Sequence, residues 1–524
     1  MRQSAVATPH PAAAAAARDI LLRGGNAIDA AVGAMLACCV ATPGAVGLGG
    51  YGGSLVACLA TGARTVAVDF DSHAPLAYRP ELFGSLQQRY ELGHLSITVP
   101  AVVAGLELAL TRFGTLSWAA VSEPAIVLAE KGLPVTALLR QQLDDWAKKA
   151  DATSQRALFP SSTVPEIGTT WQQPDMARLL RRLSQQGPGA FYHGDIPQMI
   201  VRQVRAGGGI LAEEDFERYQ PEVVEPLAID YRGMRVLTPP PPSGGLTSLQ
   251  ILKVLEQFEL SNLEPWGAEY FHLFAEAAKQ SWQDRAVYFG DPDVRPIPID
   301  KLLSDESAKE KATQIHKNNV LRFPVSTSRS PQHTANIVVA DAEGNVVSVT
   351  ATQGYLYGST VVIDGLGLVM GHGMSRFDLA EGSPNAPAPG KRMFHNMAPM
   401  ILLTADGRPW AAVGLPGGPK IVTVTAQLVV SLVDFKVAPI LAVSAPRVHV
   451  EADEPIAVSA TMPERVIEEL RTIGHTVSRG QNVGGLPNEI GGKANAIVID
   501  PSTHDVLAAS QAGEAAAVTI DMTQ

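Results

Sequence analysis

Residues 334–354 read Thr-Ala-Asn-Ile-Val-Val-Ala-Asp-Ala-Glu-Gly-Asn-Val-Val-Ser-Val-Thr-Ala-Thr-Gln-Gly. Two apolar runs rich in β-branched residues flank Asp341-Ala-Glu-Gly-Asn345, a cluster of turn formers, so the stretch reads as a β-hairpin. Pairing symmetric about Glu343 sets Thr334 opposite Thr352. Cross-strand partners share a face with their Cβ atoms about 4.5–5.5 Å apart, so two hydroxyls are expected to meet at the mouth of a sheet. A second hairpin over residues 400–415 turns at Asp406-Gly407. It runs into Pro416-Gly417-Gly418-Pro419 and then an apolar helix over about 421–432.

Working outward, residues 12–23 and 27–40 read as helices, the first ended by Gly24-Gly25 and the second stopping near Pro43. The glycine run 47–53 contains a GxGxxG match at positions 47, 49 and 52. A dinucleotide site needs that motif after a strand and before a helix. Here a helix precedes it and a strand follows, so the glycines read as close backbone packing. Residues 100–290 read as mostly helical, with helices over 246–258 and 269–289. Over residues 301–333 the stretch 301–319 reads as charged and helical and 325–333 as polar without apolar periodicity, as in an exposed connector.

Composition narrows the function classes. The 524 residues are 46 % hydrophobic and 18 % charged with a net charge of −11, enough apolar material for a core and too little charge for disorder. Lys and Arg are scattered, which argues against nucleic-acid and membrane-surface partners. The opening residues have neither a cationic region nor an apolar core of the secretory kind. Cys38, Cys39 and Cys58 read as reduced, buried thiols, so a cytoplasmic protein is expected. No HExxH or CxxC is present; neither a metal nor another cofactor is expected.

Several further blocks stand in order along the chain: Gly25-Asn-Ala-Ile-Asp29-Ala-Ala, the run 47–53, Val99-Pro-Ala-Val-Val-Ala-Gly105, Phe191-Tyr-His-Gly194, Pro240-Pro-Pro-Ser-Gly-Gly245, Ala275-Glu-Ala-Ala-Lys279 with Asp284-Arg285, the Thr334–Thr352 hairpin and Pro416-Gly-Gly-Pro-Lys420. Together they resemble the γ-glutamyltranspeptidase family of N-terminal-nucleophile hydrolases. The resemblance implies an α/β fold, a four-layer αββα sandwich, made as one precursor that cuts itself before a threonine. The family threonine falls on Thr334. The broken bond is then His333–Thr334, and residues 1–333 and 334–524 are the large and small subunits of one intertwined heterodimer. A threonine hydroxyl is a poor nucleophile without an adjacent base. Cleavage would create one, since a free α-amino group titrates near 7.7–8.0, roughly working pH. By the same resemblance Thr352 hydrogen-bonds the nucleophile, and the amides of Gly417 and Gly418 hold the oxyanion.

The chain departs from the family where the family grips glutamate. The arginine that takes the α-carboxylate is Asp71 here, and the acidic residue that takes the α-ammonium, just before Phe377, is Arg376. The paired serines are His395 and Asn396, and the lid segment, residues 378–390, is short and lacks an aromatic gate. Inverted charges would repel γ-glutamyl substrates by several kcal/mol. Arg376 suits a carboxylate, so the expected partner is a small carboxylate amide without an α-amino group. The resemblance extends to the branch of the family that hydrolyses oxamate to oxalate and ammonia in purine breakdown. Three alternatives stay open: an acylase of glutaryl-type amides, a γ-glutamyl hydrolase or transferase, and an uncleaved metabolite-binding scaffold. Arg376 could also form an internal salt bridge with Asp71.

Overall fold

His333–Ala340 and Val346–Gly354 pair antiparallel, with Ala340 opposite Val346 and Ala335 opposite Ala351. That is the symmetry about Glu343 expected from the sequence. Beyond Ala351 the register slips, so that His333 faces Gly354, and Thr334 and Thr352 sit at this irregularity rather than in a regular pair. The turn is built by one carboxylate: Asp341 accepts from the Asn345 backbone and side-chain amides and from the backbone N–H of Ala27, at 2.6–2.8 Å. The hairpin is thereby tied to the start of the helix Ala27–Ala41.

The computed structural model describes residues 3–83, 91–159, 161, 163–323, 333–380, 382–480, 490, 492–511 and 515–522. The hairpin lies at the centre of a seven-stranded sheet in the order Ala516–Asp521, Gln3–Thr8, His333–Ala340, Val346–Gly354, Gly52–Leu59, Arg64–Asp69, Glu222–Val224. A six-stranded sheet runs Val506–Ser510, Asn495–Ile499, Pro409–Gly414, Met400–Leu403, Met234–Thr238, Leu227–Tyr231. Every pairing within the two sheets is antiparallel.

Small and β-branched side chains fill the space between the sheets: Ala5, Val56, Val338 and Val346 from one pack with Leu237, Ile401, Ala412 and Ile497 from the other. Each such buried Val, Leu or Ile contributes about 1.5–3 kcal/mol relative to exposure. Helices cover the outer faces. Pro11–Leu22, Ala27–Ala41, Val102–Phe113 and Trp118–Lys131 pack on the first sheet. Gly245–Leu255, Ala268–Tyr288 and Lys420–Val433 pack on the second. The expected αββα layering is the observed one. Ala27–Ala41 is buried along its whole length, which explains its lack of a polar face; Cys38, Cys39 and Cys58 are free thiols buried in the apolar interior.

The glycine run is a packing element. A Cβ on Gly49 would lie 2.3 Å from the Val369 carbonyl oxygen, and one on Gly50 would lie 2.6 Å from that of Thr352. One expectation needs correction. Residues 100–290 are not only helical, because Leu227–Tyr231 and Met234–Thr238 form a hairpin of the second sheet. Its turn, Arg232-Gly233, has φ of +51° and +79°, a two-residue geometry usually marked by Asn-Gly or Asp-Gly; arginine in the first place hides it. In the connector over 301–333 the charged stretch holds the expected helix, Asp305–Thr313, and residues 324–332 lie outside the described ones.

Candidate active site

The two sheets are pinned together at one end by a buried asparagine. Asn336 Nδ2 donates to the Val349 carbonyl and to the Thr350 and Ser348 hydroxyls, Ser348 donates to the Val413 carbonyl, and Asn495 Nδ2 donates to the Asn336 carbonyl. Gly414 lies so close that a Cβ there would sit 2.2 Å from Asn336 Nδ2. Thr334 is two residues before Asn336 and Gly417 three residues after Gly414. At about 3.3 Å per strand residue, nucleophile candidate and glycine pair emerge from the same end of the sandwich.

At that end the Thr334 hydroxyl donates to Thr352 Oγ1 at 3.3 Å, and the Gly354 N–H donates to the same oxygen at 2.9 Å. Both threonines are buried. Gly417 and Gly418 have φ of +145° and +62°, a left-handed path that a side chain would strain. They lead through Pro419 into the helix Lys420–Val433.

Arg376 closes a short 3-10 turn, Gly373–Arg376. With Asn396 and Pro419 it lines a cavity of about 90 Å³. The short segment after Phe377 supplies Asp378, Ser383, Pro384 and Asn385 to the same wall. Asn385 holds the segment in place, donating to the Arg376 carbonyl at 2.7 Å and accepting from the Phe394 N–H at 3.0 Å. Of the two residues in the serine positions, Asn396 faces the cavity. His395 does not; it is buried against Asp71.

Asp71 takes His395 as its partner, Nε2 to Oδ2 at 2.6 Å. The Met397 N–H donates to His395 Nδ1 at 3.1 Å, which leaves that nitrogen as an acceptor and puts the ring proton on Nε2. Protonating Nδ1 would set two donors face to face. Burial, with Arg285 and Arg376 adding positive charge nearby, pushes the imidazole down to about 3. Burial pushes the Asp71 carboxyl up to about 7 against the lowering effects of its hydrogen bond with Asp69 and the charge of Arg392. At neutral pH the histidine is therefore a neutral donor to a half-ionised acid.

Sequence reasoning quoted Arg285 but assigned it no role. Its guanidinium is sandwiched between Trp282 and Phe394, 4.6 and 3.9 Å from the ring centroids. It donates to the His395 carbonyl at 3.2 Å and to Asn396 Oδ1. With its oxygen so engaged, Asn396 is oriented to offer its NH2 to the cavity. Tyr51 was also passed over, counted only as part of the glycine run. Its ring is buried among Ala74, Met374, Phe377 and Met393, and burial raises its phenol above the ordinary range against the lowering charge of Arg376. No spacing rule links Tyr51 or Arg285 to a threonine some 50 to 280 residues distant; the signal is wholly tertiary.

One further cluster has metal-ligand composition. His272, Glu276 and His475 bring ligand atoms within 4.8 Å of one another. The donors are already committed to each other: His272 Nδ1 and His475 Nε2 share a hydrogen bond at 2.8 Å, and Lys279 Nζ sits 2.7 Å from Glu276 and 2.6 Å from Glu454. A cation there would face the lysine ammonium, so the group reads as a buried ion-pair network.

The sequence profile of the gamma-glutamyltranspeptidase family matches residues 13–519. This chain belongs to the gamma-glutamyltranspeptidase family. It is 36 % identical over 500 residues to an acylase ACY 1 proenzyme of Pseudomonas sp. strain SE83, covering 93 % of this chain and 89 % of that one. It is 32 % identical over 498 residues to the glutathione hydrolase proenzyme of Bacillus subtilis strain 168, covering 90 % and 84 %. Among solved structures, a cephalosporin acylase from Bacillus halodurans superposes with a TM-score of 0.90 at 28 % identity over 98 % of this chain and 95 % of that one.

As a gamma-glutamyltranspeptidase family member the chain is an autoprocessed amide hydrolase of the N-terminal-nucleophile class. Among the described residues no helix is long and apolar enough to cross a membrane.

Proposed function

We propose that this enzyme hydrolyses the amide of a small acid lacking an α-amino group, and that oxamate, giving oxalate and ammonia, is that substrate. The nucleophile is Thr334, freed by cleavage of His333–Thr334 as the first residue of the small subunit. The observation that carries the reading is the cavity itself. Arg376 and the oriented Asn396 amide line it together, beside the turn that bears Gly417 and Gly418, while Asp71 is tied up by His395. A carboxylate entering the cavity is met by these donors, with Asp378 and Glu451 on the same wall.

In this reading Arg376 and Asn396 hold the acid group, and Thr334 Oγ1 attacks the carboxamide carbon. Its proton passes to the α-amino group of the same residue. The negative charge that develops on the carbonyl oxygen is met by the Gly417 and Gly418 amides, whose N–H groups donate to no acceptor among the described residues. The α-amino group then protonates the leaving nitrogen, ammonia departs, and water enters by the reverse path to split the acyl-threonine ester. Three free, buried thiols support a reducing, cytoplasmic setting.

The deciding experiment is ammonia release from oxamate by the self-cleaved protein, with longer dicarboxylic amides measured in parallel. Turnover confined to the longer amides would replace oxamate with the second reading, a glutaryl-type acylase. That reading is favoured by the acylase relatives, one at 36 % identity and one at a TM-score of 0.90. Glutathione hydrolase relatives support a γ-glutamyl reading, which the Asp71 and Arg376 positions oppose by charge.

A pH effect follows from Asp71. Its carboxyl is raised to about 7, so it is neutral below that pH and negative above it. Asp71 does not line the cavity but sits behind His395, the neighbour of Asn396; negative charge added there weakens binding of an anionic ligand by roughly 1 kcal/mol. The inhibition constant for oxalate is expected to rise about five- to tenfold between pH 6 and 8. In Asp71→Asn the rise disappears; an identical rise in that variant would assign it to another group.

A further inference from the structure

The glycine pair is held by a hydrogen bond at its entrance. The Gly492 N–H donates to the Pro416 carbonyl oxygen at 2.7 Å. That bond prolongs the antiparallel pairing of Pro409–Gly414 with Asn495–Ile499, whose outermost pair is Gly414 opposite Asn495. Glycine is needed at 492, because a Cβ there would lie 2.7 Å from Pro416 Cγ and 3.0 Å from the Pro416 oxygen. The Pro416–Gly417 peptide is trans, and in a planar trans unit the C=O and N–H point in opposite directions. Whatever fixes the Pro416 oxygen therefore fixes the Gly417 N–H. A carbonyl that accepts a hydrogen bond also makes its own amide a stronger donor.

Gly492 is in turn held by Arg447. This buried guanidinium donates through Nη1 to the carbonyls of Ile490 and Gly492, at 3.1 and 3.3 Å, and through Nη2 to that of Val443 at 2.6 Å. In chain order the first two carbonyls bracket the Gly492 N–H. The backbone of Arg447 is fixed from another strand, its N–H donating to the Ser459 hydroxyl at 2.9 Å and its carbonyl accepting from the Ser459 N–H at 3.0 Å. A guanidinium presents its N–H groups in a rigid planar fork, so one side chain sets residues 490 and 492 relative to Val443.

We infer that Arg447 is a positioning residue for the oxyanion donors, acting through Gly492 on the Pro416–Gly417 peptide. The inference rests on the reading of Thr334 as nucleophile and of the Gly417 amide as a donor to the oxyanion. Arg447 does not line the cavity that Arg376 and Asn396 share. A misdirected oxyanion donor fails the developing charge and leaves ground-state binding alone, so the loss falls on kcat. Removing such a donor outright costs about 100- to 1,000-fold.

The test uses p-nitrophenyl acetate and the self-cleaved protein. Arg447→Met is expected to lower kcat about 30-fold with KM within about twofold. Arg447→Lys, which can still reach part of the carbonyl set, should lose less. Where Arg447→Met does not give folded protein, Gly492→Ala decides, since its Cβ pushes on Pro416 without removing a charge. Its kcat should fall at least about tenfold, again with KM within about twofold. Joining Gly492→Ala to Arg447→Lys should cost less than the product of the two, because both act on one peptide. Wild-type kcat in folded Arg447→Met or Gly492→Ala, or a loss carried by KM, would overturn the proposal. Thr334→Ala run alongside isolates the reading beneath it. Ester turnover that survives in that variant would remove the nucleophile assignment. Turnover that vanishes there but stays at the wild-type rate in the Arg447 and Gly492 variants would sink the positioning role alone.

Discussion

Thr334→Ala is expected to leave the chain as one uncut band of 55.4 kDa, where the wild type separates into pieces of roughly 35 and roughly 20 kDa, in proportion to 333 and 191 of the 524 residues. Hydrolysis should fall by at least about 10,000-fold, the scale on which removing a nucleophile acts. Two losses coincide because one residue supplies both groups. In the proposed mechanism its hydroxyl attacks, first its own preceding peptide and later the substrate, and its α-amino group exists as a base only after the cut. Thr334→Ser keeps a hydroxyl and, once cleaved, the α-amino group, so it should still split and retain measurable turnover. Denaturing gels over time and ammonia release check both variants. A Thr334→Ala protein that still cleaves at residue 333 would remove Thr334 from the mechanism.

Arg376→Gln is expected to lower kcat/KM for oxamate about 100-fold, most of it in KM, the scale of a charge-assisted, two-pronged contact to a carboxylate. Acylation by p-nitrophenyl acetate, which has no carboxylate, should change by less than about threefold. The contrast matters because Arg376 is 5 % exposed and could serve the fold alone. Equal losses on the acid amide and on the neutral ester would show that it does, and would take the substrate assignment with it.

Much of this protein lies open in local sequence. The hairpin register follows from Asp341-Ala-Glu-Gly-Asn345, and the helix Ala27–Ala41 from Asn26 and Asp29. Those two satisfy its first amides in a reciprocal cap, while the Asp29 carboxylate also takes the Thr115 and Leu116 N–H groups. Such features need only neighbours in the chain, so periodicity and capping chemistry expose them. The hairpin Leu227–Tyr231 with Met234–Thr238 was hidden for a local reason too, an arginine in a left-handed position where asparagine is the usual sign.

The site divides along the same line. The sequence by itself determined which residues are the candidates for chemistry: two threonines at the open end of one hairpin, a glycine pair at a helix entrance, and an arginine and an aspartate in exchanged positions. It could not determine who partners whom. Asp71 and His395 meet across 324 residues. Arg285 turns the Asn396 amide from 111 residues away, and the Gly50 backbone packs against the Thr352 carbonyl only because glycine carries no Cβ. Hydrogen-bond direction and burial depend on atoms that chain spacing does not bring together, so only the tertiary structure decides which of these groups are charged, which are neutral, and which face the substrate.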